Sequence, residues 1–183
     1  MLIIEGPDGS GKTTLITKMV EEFGLTVAPR VKDKQAQTIV PDLKQWVADN
    51  LEEGFQYRIF DRHRLISEFI YGPLIRSEQE PGFTDLIWVS NSLWLLYRWV
   101  EPVIIYCLPP LEVVRANIQA DHENAVVADH VDALYAAYVH RASLDWNAHP
   151  DRVIIYDYTT DGQEVDPLGC LRNLINYAKG RTE

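Results

Sequence analysis

An apolar run, Leu2-Ile3-Ile4, meets Gly6-Pro7-Asp8-Gly9-Ser10-Gly11-Lys12-Thr13, and a helical pattern follows at once. No other feature of the chain constrains the fold so strongly. A strand feeding a glycine-rich turn and then a helix begins a crossover unit, because a parallel neighbour needs a connection that recrosses the sheet. The octet also has the spacing GxxxxGK(S/T) without a gap. Glycines let successive backbone N–H groups turn inward around phosphate oxygens, and the helix start adds about half a positive charge. On that spacing Gly6, Gly9, Ser10, Gly11, Lys12, Thr13 and Thr14 are the candidate phosphate ligands. Lys12 is placed to reach β- and γ-phosphates and the Thr13 hydroxyl to ligate Mg²⁺. ATP and Mg²⁺ are the cofactors this loop calls for.

The rest of the chain repeats the alternation of strand and helix. Leu15, Ile16, Met19, Val20 and Phe23 recur at helical spacing and Gly24 stops them. Short apolar runs at Leu25–Val27, Tyr57–Phe60, Val103–Cys107 and Arg152–Tyr156 read as four more strands. Helical patterns cover Pro41–Leu51, Leu65–Ile75, Asp85–Trp99, Leu111–Ala120, Val127–Trp146 and Pro167–Ala178. Strands alternating with helices predict a five-stranded, mainly parallel sheet covered on both faces, a three-layer α/β architecture of the P-loop NTPase type. No second domain or repeat is visible, so residues 1–183 are expected to form one domain.

Composition narrows the function. With 17 Lys and Arg against 27 Asp and Glu, the net charge is −10, which disfavours gripping long nucleic acid with the whole surface. Cys107 and Cys170 make neither a disulfide framework nor a CxxC metal site. The five histidines show no metal spacing, and only His63, beside Arg62, invites a test. The apolar stretch from Leu86 to Val100 is short and carries Arg98, so a membrane span is not expected. Its Trp88, Trp94 and Trp99 leave little polar face; a homodimer seam and a second packed layer are equal readings. Met1 stands almost directly before the first strand, leaving no room for a signal peptide, so a cytoplasmic protein is expected.

Where the phosphate goes depends on Asp61-Arg62. Ile59-Phe60-Asp61-Arg62 ends a buried strand with an acid, where a loop of this kind takes its second Mg²⁺-side carboxylate. A hydrolase usually has a Glu beside that Asp to orient water. Here the neighbour is a guanidinium, suited to a bidentate grip on phosphate. No Asn-Lys-x-Asp guanine motif is present. Transfer to a small molecule is favoured over hydrolysis.

Glu5-Gly6-Pro7-Asp8-Gly9-Ser10-Gly11-Lys12-Thr13-Thr14 resembles the first motif of the thymidylate kinase family. Asp61-Arg62, then Ser67 and Tyr71-Gly72, resembles that family's Asp-Arg motif and its trailing Ser…Tyr segment. Leu108-Pro109-Pro110-Leu111-Glu112-Val113 resembles the segment after its fourth strand. The wording from Asp61 to Gly72 is also similar to small kinases encoded by bacteriophages, which implies the host cytoplasm. The resemblance implies catalytic roles for Lys12, Arg62, Asp61 and Asp8. Asp8 would sit near the acceptor's sugar hydroxyl or the metal, and Asp61 near the acceptor and Mg²⁺. Arg62 would hold the acceptor phosphate or the transferring γ-phosphoryl. Family members commonly dimerise.

Two departures stand out. Ala28-Pro29-Arg30 replaces the family's Arg-Glu-Pro-Gly segment, which makes Arg30 a candidate acceptor ligand. The family keeps a catalytic arginine in its lid or its phosphate loop. The short lid here, around 119–127, has none, and neither does the loop; Arg115 and Arg141 flank it and could substitute. Phe69 and Tyr71 could stack on an acceptor base, or belong to the core. The expected function is ATP- and Mg²⁺-dependent kinase action on a deoxynucleoside monophosphate, thymidylate-like. Two alternatives stay open: a phage-type kinase acting on 5-hydroxymethyluracil in DNA, with nucleic acid as substrate, and a nucleotide-binding switch or weak ATPase.

Overall fold

The structure, a computed structural model, describes residues 1–28, 58–75, 91, 97–98, 102–120, 125–160, 169 and 172. Five strands, β1 (Leu2–Glu5), β2 (Thr26–Val27), β3 (Arg58–Asp61), β4 (Val103–Cys107) and β5 (Val153–Tyr156), make one sheet in the order β2-β3-β1-β4-β5. Every pairing is parallel. The continuous helices among the described residues are α1 (Lys12–Phe23), α2 (Arg64–Ile75), α3 (Leu111–Ala120), α4 (Ala125–Asp129) and α5 (Val131–Ala148).

The strands are apolar on both sides, and residue parity decides which core each side chain enters. Leu2, Ile4, Ile59, Val103, Ile105 and Cys107 face α1 and pack on Leu15, Ile16 and Met19. Ile3, Phe60, Ile104 and Tyr106 face the other way. They pack on Leu65 and Ile66 of α2, Val114 and Ile118 of α3, and Leu134, Tyr138 and Ala142 of α5. The sheet is therefore a layer between two helical layers, as the alternating pattern predicted.

The order of the strands sets the place of the site. From β1 the chain goes outward to β2, returns to β3 beside β1, and then crosses to β4 on the other side. Strand order reverses at β1, and ligands of open parallel sheets bind outside the carboxyl ends at such a switch point. The glycine-rich loop leaves β1 there, and Arg62 leaves β3 one strand away.

Several expectations shift in detail. β3 runs one residue further than the apolar pattern, so Asp61 is in the strand, paired in register with Ile4. The sheet is parallel throughout its described strands rather than mainly so. The helix expected over Val127–Trp146 is two, α4 and α5, parted at His130, whose N–H turns back to the Val127 carbonyl (3.1 Å). Both halves bury apolar residues, so their combined pattern reads as one helix. The helices expected at Pro41–Leu51, Asp85–Trp99 and Pro167–Ala178 fall outside the described residues, wholly or nearly so, as do Arg30 and lid residues 121–124. The proposed dimer seam lies there too. Among the described residues, no helix is long and apolar enough to cross a membrane.

Candidate active site

The loop between β1 and α1 has the geometry its glycines permit. Gly6, Gly9 and Gly11 have φ of 141°, 72° and 83°. Gly6 also passes so close to β4 that an added Cβ would lie 2.5 Å from the Cys107 carbonyl oxygen. Gly11 is the N-cap of α1 in a left-handed conformation; it offers no side-chain hydrogen bond to the helix, and the first turn holds no acid. The leading N–H groups of α1 thus point into the loop without a side-chain cap, which is an anion site by construction. This cradle fits a triphosphate. The Lys12 side chain is buried and donates to the Pro7 carbonyl and, at 3.4 Å, to Ser10 Oγ. Burial first, then the Arg62 charge, push its amine down to about 7, against the pull of Asp8 and Asp61. Thr13 and Thr14 are exposed at the helix start.

A second set of side chains closes on the loop. Arg62 Nη2 donates to Asp8 Oδ1 (2.5 Å) and to the Tyr71 hydroxyl (2.7 Å), and its Nε donates to the Gly6 carbonyl (3.3 Å). The Tyr71 hydroxyl in turn donates to Asp8 Oδ2 (2.9 Å), and the guanidinium lies 4.6 Å from the centre of the Tyr71 ring. Three elements contribute: the loop, the β3–α2 turn and α2. Burial raises the Asp8 carboxyl, but Arg62, Lys12 and the hydrogen bonds from Arg62 and Tyr71 outweigh it and hold it below the usual carboxylate range. Burial opposes the Arg62 charge; Tyr138, Tyr71 and Asp8 together raise it well above its ordinary value, so the guanidinium stays cationic.

Beneath this set lies Glu5, fully buried at the end of β1. Its Oε1 accepts from the His63 backbone N–H (2.7 Å) and its Oε2 from the Tyr138 hydroxyl (3.2 Å). Burial pushes its carboxyl up to about 7, with the His63 hydrogen bond, Arg62, Tyr138 and Lys12 pulling the other way. The His63 ring is buried as well, which drives it down to about 3 and keeps it neutral. On the far side of the loop, Asn117 Nδ2 donates to the Gly9 carbonyl (2.7 Å) and to the Tyr158 hydroxyl (2.9 Å). The Tyr158 ring covers Gly11, where an added Cβ would sit 2.7 Å from ring carbon Cε1.

The structure therefore brings Lys12, Asp8, Arg62 and Tyr71 together around one loop. It does not bring every candidate. Phe69 is half-buried against the core that α2 and α5 share, the bland outcome for an aromatic at helical spacing. Arg141 is held on its own helix: its Nε and Nη2 bind Asp145 (2.9 and 2.7 Å), whose Oδ2 also takes the Tyr106 hydroxyl (2.5 Å). The i,i+4 spacing of Arg141 and Asp145 was the available signal. Arg115, exposed on α3, is held by both oxygens of Asp132 on α5 (2.9 and 2.5 Å). Sequence reasoning missed Glu5, Tyr138, Asn117 and Tyr158 as parts of the site; only Glu5 left a trace, as an acid ending a buried strand.

The donor set also suits a hard cation. The Thr13 hydroxyl, in the first turn of α1, and the Asp61 carboxylate, at the end of β3, are oxygen groups of the kind that Mg²⁺ takes one or two of beside phosphate oxygens. Among the described residues, no group of three or more His, Cys, Asp or Glu could hold a metal unaided.

Solved structures share this architecture. YorR protein from Bacillus subtilis, in complex with phosphorylated GDP, superposes with a TM-score of 0.61 at 14% identity, over 100% of this chain and 98% of that one. Deoxyadenosine kinase from M. mycoides with bound dATP gives 0.55 at 14% identity, over 97% and 98% of the two chains. The same enzyme with bound dCTP gives 0.51 at 16%, over 98% and 100%. The chain shares the fold of these solved proteins. No protein-family model and no curated protein matches the sequence.

Proposed function

We propose that the protein is a nucleotide kinase that transfers the γ-phosphoryl of ATP to a deoxynucleoside monophosphate. The observation that carries this reading is Arg62, anchored on Asp8 and on the Gly6 carbonyl of the phosphate loop itself. It sets a second cation beside Lys12, on the acceptor side, where a hydrolase needs a water-orienting carboxylate. Phosphoryl transfer demands positioning and charge neutralisation more than covalent chemistry.

In this reading the loop N–H groups and Lys12 hold the β- and γ-phosphates. Thr13 and Asp61 would hold Mg²⁺, which supplies charge neutralisation between those phosphates. Arg62 turns from Asp8 to the acceptor phosphate or to the phosphoryl in flight. Asp8, released from Arg62, then meets the acceptor's sugar hydroxyl, with Tyr71 beside it. Arg30, close after β2 in the sequence, stays the candidate for a further ligand to the acceptor phosphate. Shared architecture with YorR and with the M. mycoides deoxyadenosine kinase, both solved with nucleotides bound, supports a nucleotide as ligand.

The test is direct. Radiolabelled ATP is offered in parallel with deoxynucleosides, deoxynucleoside monophosphates and DNA oligomers containing 5-hydroxymethyluracil. Label in the monophosphates is the expected result. Label only in the oligomers would replace the acceptor with DNA, and label only in free phosphate would leave a weak ATPase or switch.

A further inference from the structure

Arg62 is the one described residue other than glycine with a positive φ, 66°. A left-handed conformation is strained for a residue with a Cβ, so something must hold it. Two hydrogen bonds bracket it. The Arg62 N–H donates to the Ile4 carbonyl (2.9 Å), which continues the β1–β3 ladder, and the next N–H, that of His63, donates to Glu5 Oε1 (2.7 Å). The second bond fixes the peptide plane that follows Arg62. That plane sets the direction in which the Arg62 side chain leaves the chain.

We infer that Glu5 is a positioning residue, a buried clamp whose hydrogen bond to the His63 N–H holds the left-handed turn that points Arg62 at the phosphate loop. Glu5 is suited to this by place and anchorage. It ends the central strand, at the foot of the loop, and Tyr138 of α5 holds its other oxygen (3.2 Å). One carboxylate thus joins β1, the β3–α2 turn and α5 behind the guanidinium. Reach, rather than charge, is what the clamp requires. A glutamine retains a carbonyl oxygen at the same distance, whereas an aspartate keeps the charge and falls one methylene short.

The kinetic arm of the test rests on the phosphotransfer reading; the spectroscopic arm does not. In protein labelled with ¹⁵N at arginine Nε, the Arg62 Nε–H signal, assigned by its loss in Arg62→Ala, reports the bond to the Gly6 carbonyl. Arg141 Nε, bound to Asp145, is the internal reference. Glu5→Gln should hold the Arg62 signal near its wild-type position. Glu5→Asp and Glu5→Leu should move it to the solvent-exposed arginine range, with the Arg141 signal in place. In phosphoryl transfer, Glu5→Asp and Glu5→Leu should lower kcat about a hundredfold with the KM for ATP nearly preserved, and Glu5→Gln should lose least. In the Arg62→Ala background the same substitutions should cost less than about twofold, because the residue they position is gone.

An Arg62 signal unmoved in Glu5→Asp would overturn the inference. So would an Arg141 signal that moves with it, or losses that multiply in the double variants, since each marks a general structural role. Should Glu5→Leu fail to fold, Glu5→Asp against Glu5→Gln decides. A wild-type protein that labels no acceptor would remove the kinase reading, and the Arg62 Nε signal would still decide the role of Glu5.

Discussion

The phosphate loop and the Asp8–Arg62–Tyr71 cluster meet at Asp8, yet they are made of different material. The loop presents main chain: three left-handed glycines and a helix start without a side-chain cap, all within one short stretch of sequence. The cluster presents side chains from three elements, and it satisfies itself, with each polar tip bound to another. A main-chain anion site is ready for ligand with its dipoles already aligned. A side-chain site in the same crevice must exchange internal partners for the substrate. In the proposed kinase reading, binding on the donor side should thus depend on backbone geometry, and on the acceptor side on the exchange of one arginine's contacts.

That contrast can be broken or sharpened by substitution. The largest effect belongs to Lys12→Ala, which should reduce transfer by about a thousandfold, the scale of losing a preorganised charge at the reacting phosphate. Its melting temperature should barely fall, because the change removes a buried cation. Arg62→Ala comes next, with kcat/KM for the acceptor down about a hundredfold and the Kd for ATP nearly unchanged. Equal losses for both substrates would erase the division into donor and acceptor sides.

Gly11→Ala tests the main-chain half by itself. The left-handed φ of 83° and the Tyr158 ring 2.7 Å from the new Cβ should together cost stability. The conformational part is about 1–2 kcal/mol. Calorimetry should show a lower melting temperature, and titration weaker ATP binding. Tyr71→Phe tests the side-chain half more gently. It removes one donor to Asp8 and one acceptor for Arg62, each worth about 1 kcal/mol, so the acceptor KM should rise by up to roughly thirtyfold.

The smallest effect is a proton. Lys12, held near 7 by burial in the free protein, is mostly neutral at pH 8. A bound triphosphate places negative charge beside it and raises it again. ATP binding at pH 8 should therefore take up close to one proton, and markedly less at pH 6, where Lys12 is already charged. Titration calorimetry in buffers of different ionisation enthalpy reads this number, and Lys12→Met should abolish most of it.

The parts visible in the sequence share a physical property: they depend on neighbours along the chain. Leu2–Ile4, Val103–Cys107 and the octet from Gly6 to Thr13 carry their own instructions, so strands and loop are both legible. Asp61-Arg62 is legible as a strand end. What Arg62 touches is legible only in part: Tyr71 follows it in the same β3–α2 segment, but Gly6 and Asp8 reach it only through the β1–β3 register. Glu5 and Tyr138 are 133 positions apart, and Asn117 and Gly9 are 108. No local pattern encodes such pairs. His130 shows the opposite failure, a break inside a continuous apolar pattern that a turn could take without losing burial on either side.

The depressed amine at the floor of the loop also has a reactive meaning. Lysines at their ordinary value stay protonated at neutral pH and are poor nucleophiles, whereas Lys12, near 7, has its lone pair free in a large share of molecules. A small uncharged aldehyde would meet that amine in the free loop, before any phosphate has recharged it. Borohydride would then fix the imine at one position, which makes Lys12 a natural handle for covalent labels that count competent sites and report which nucleotides exclude them.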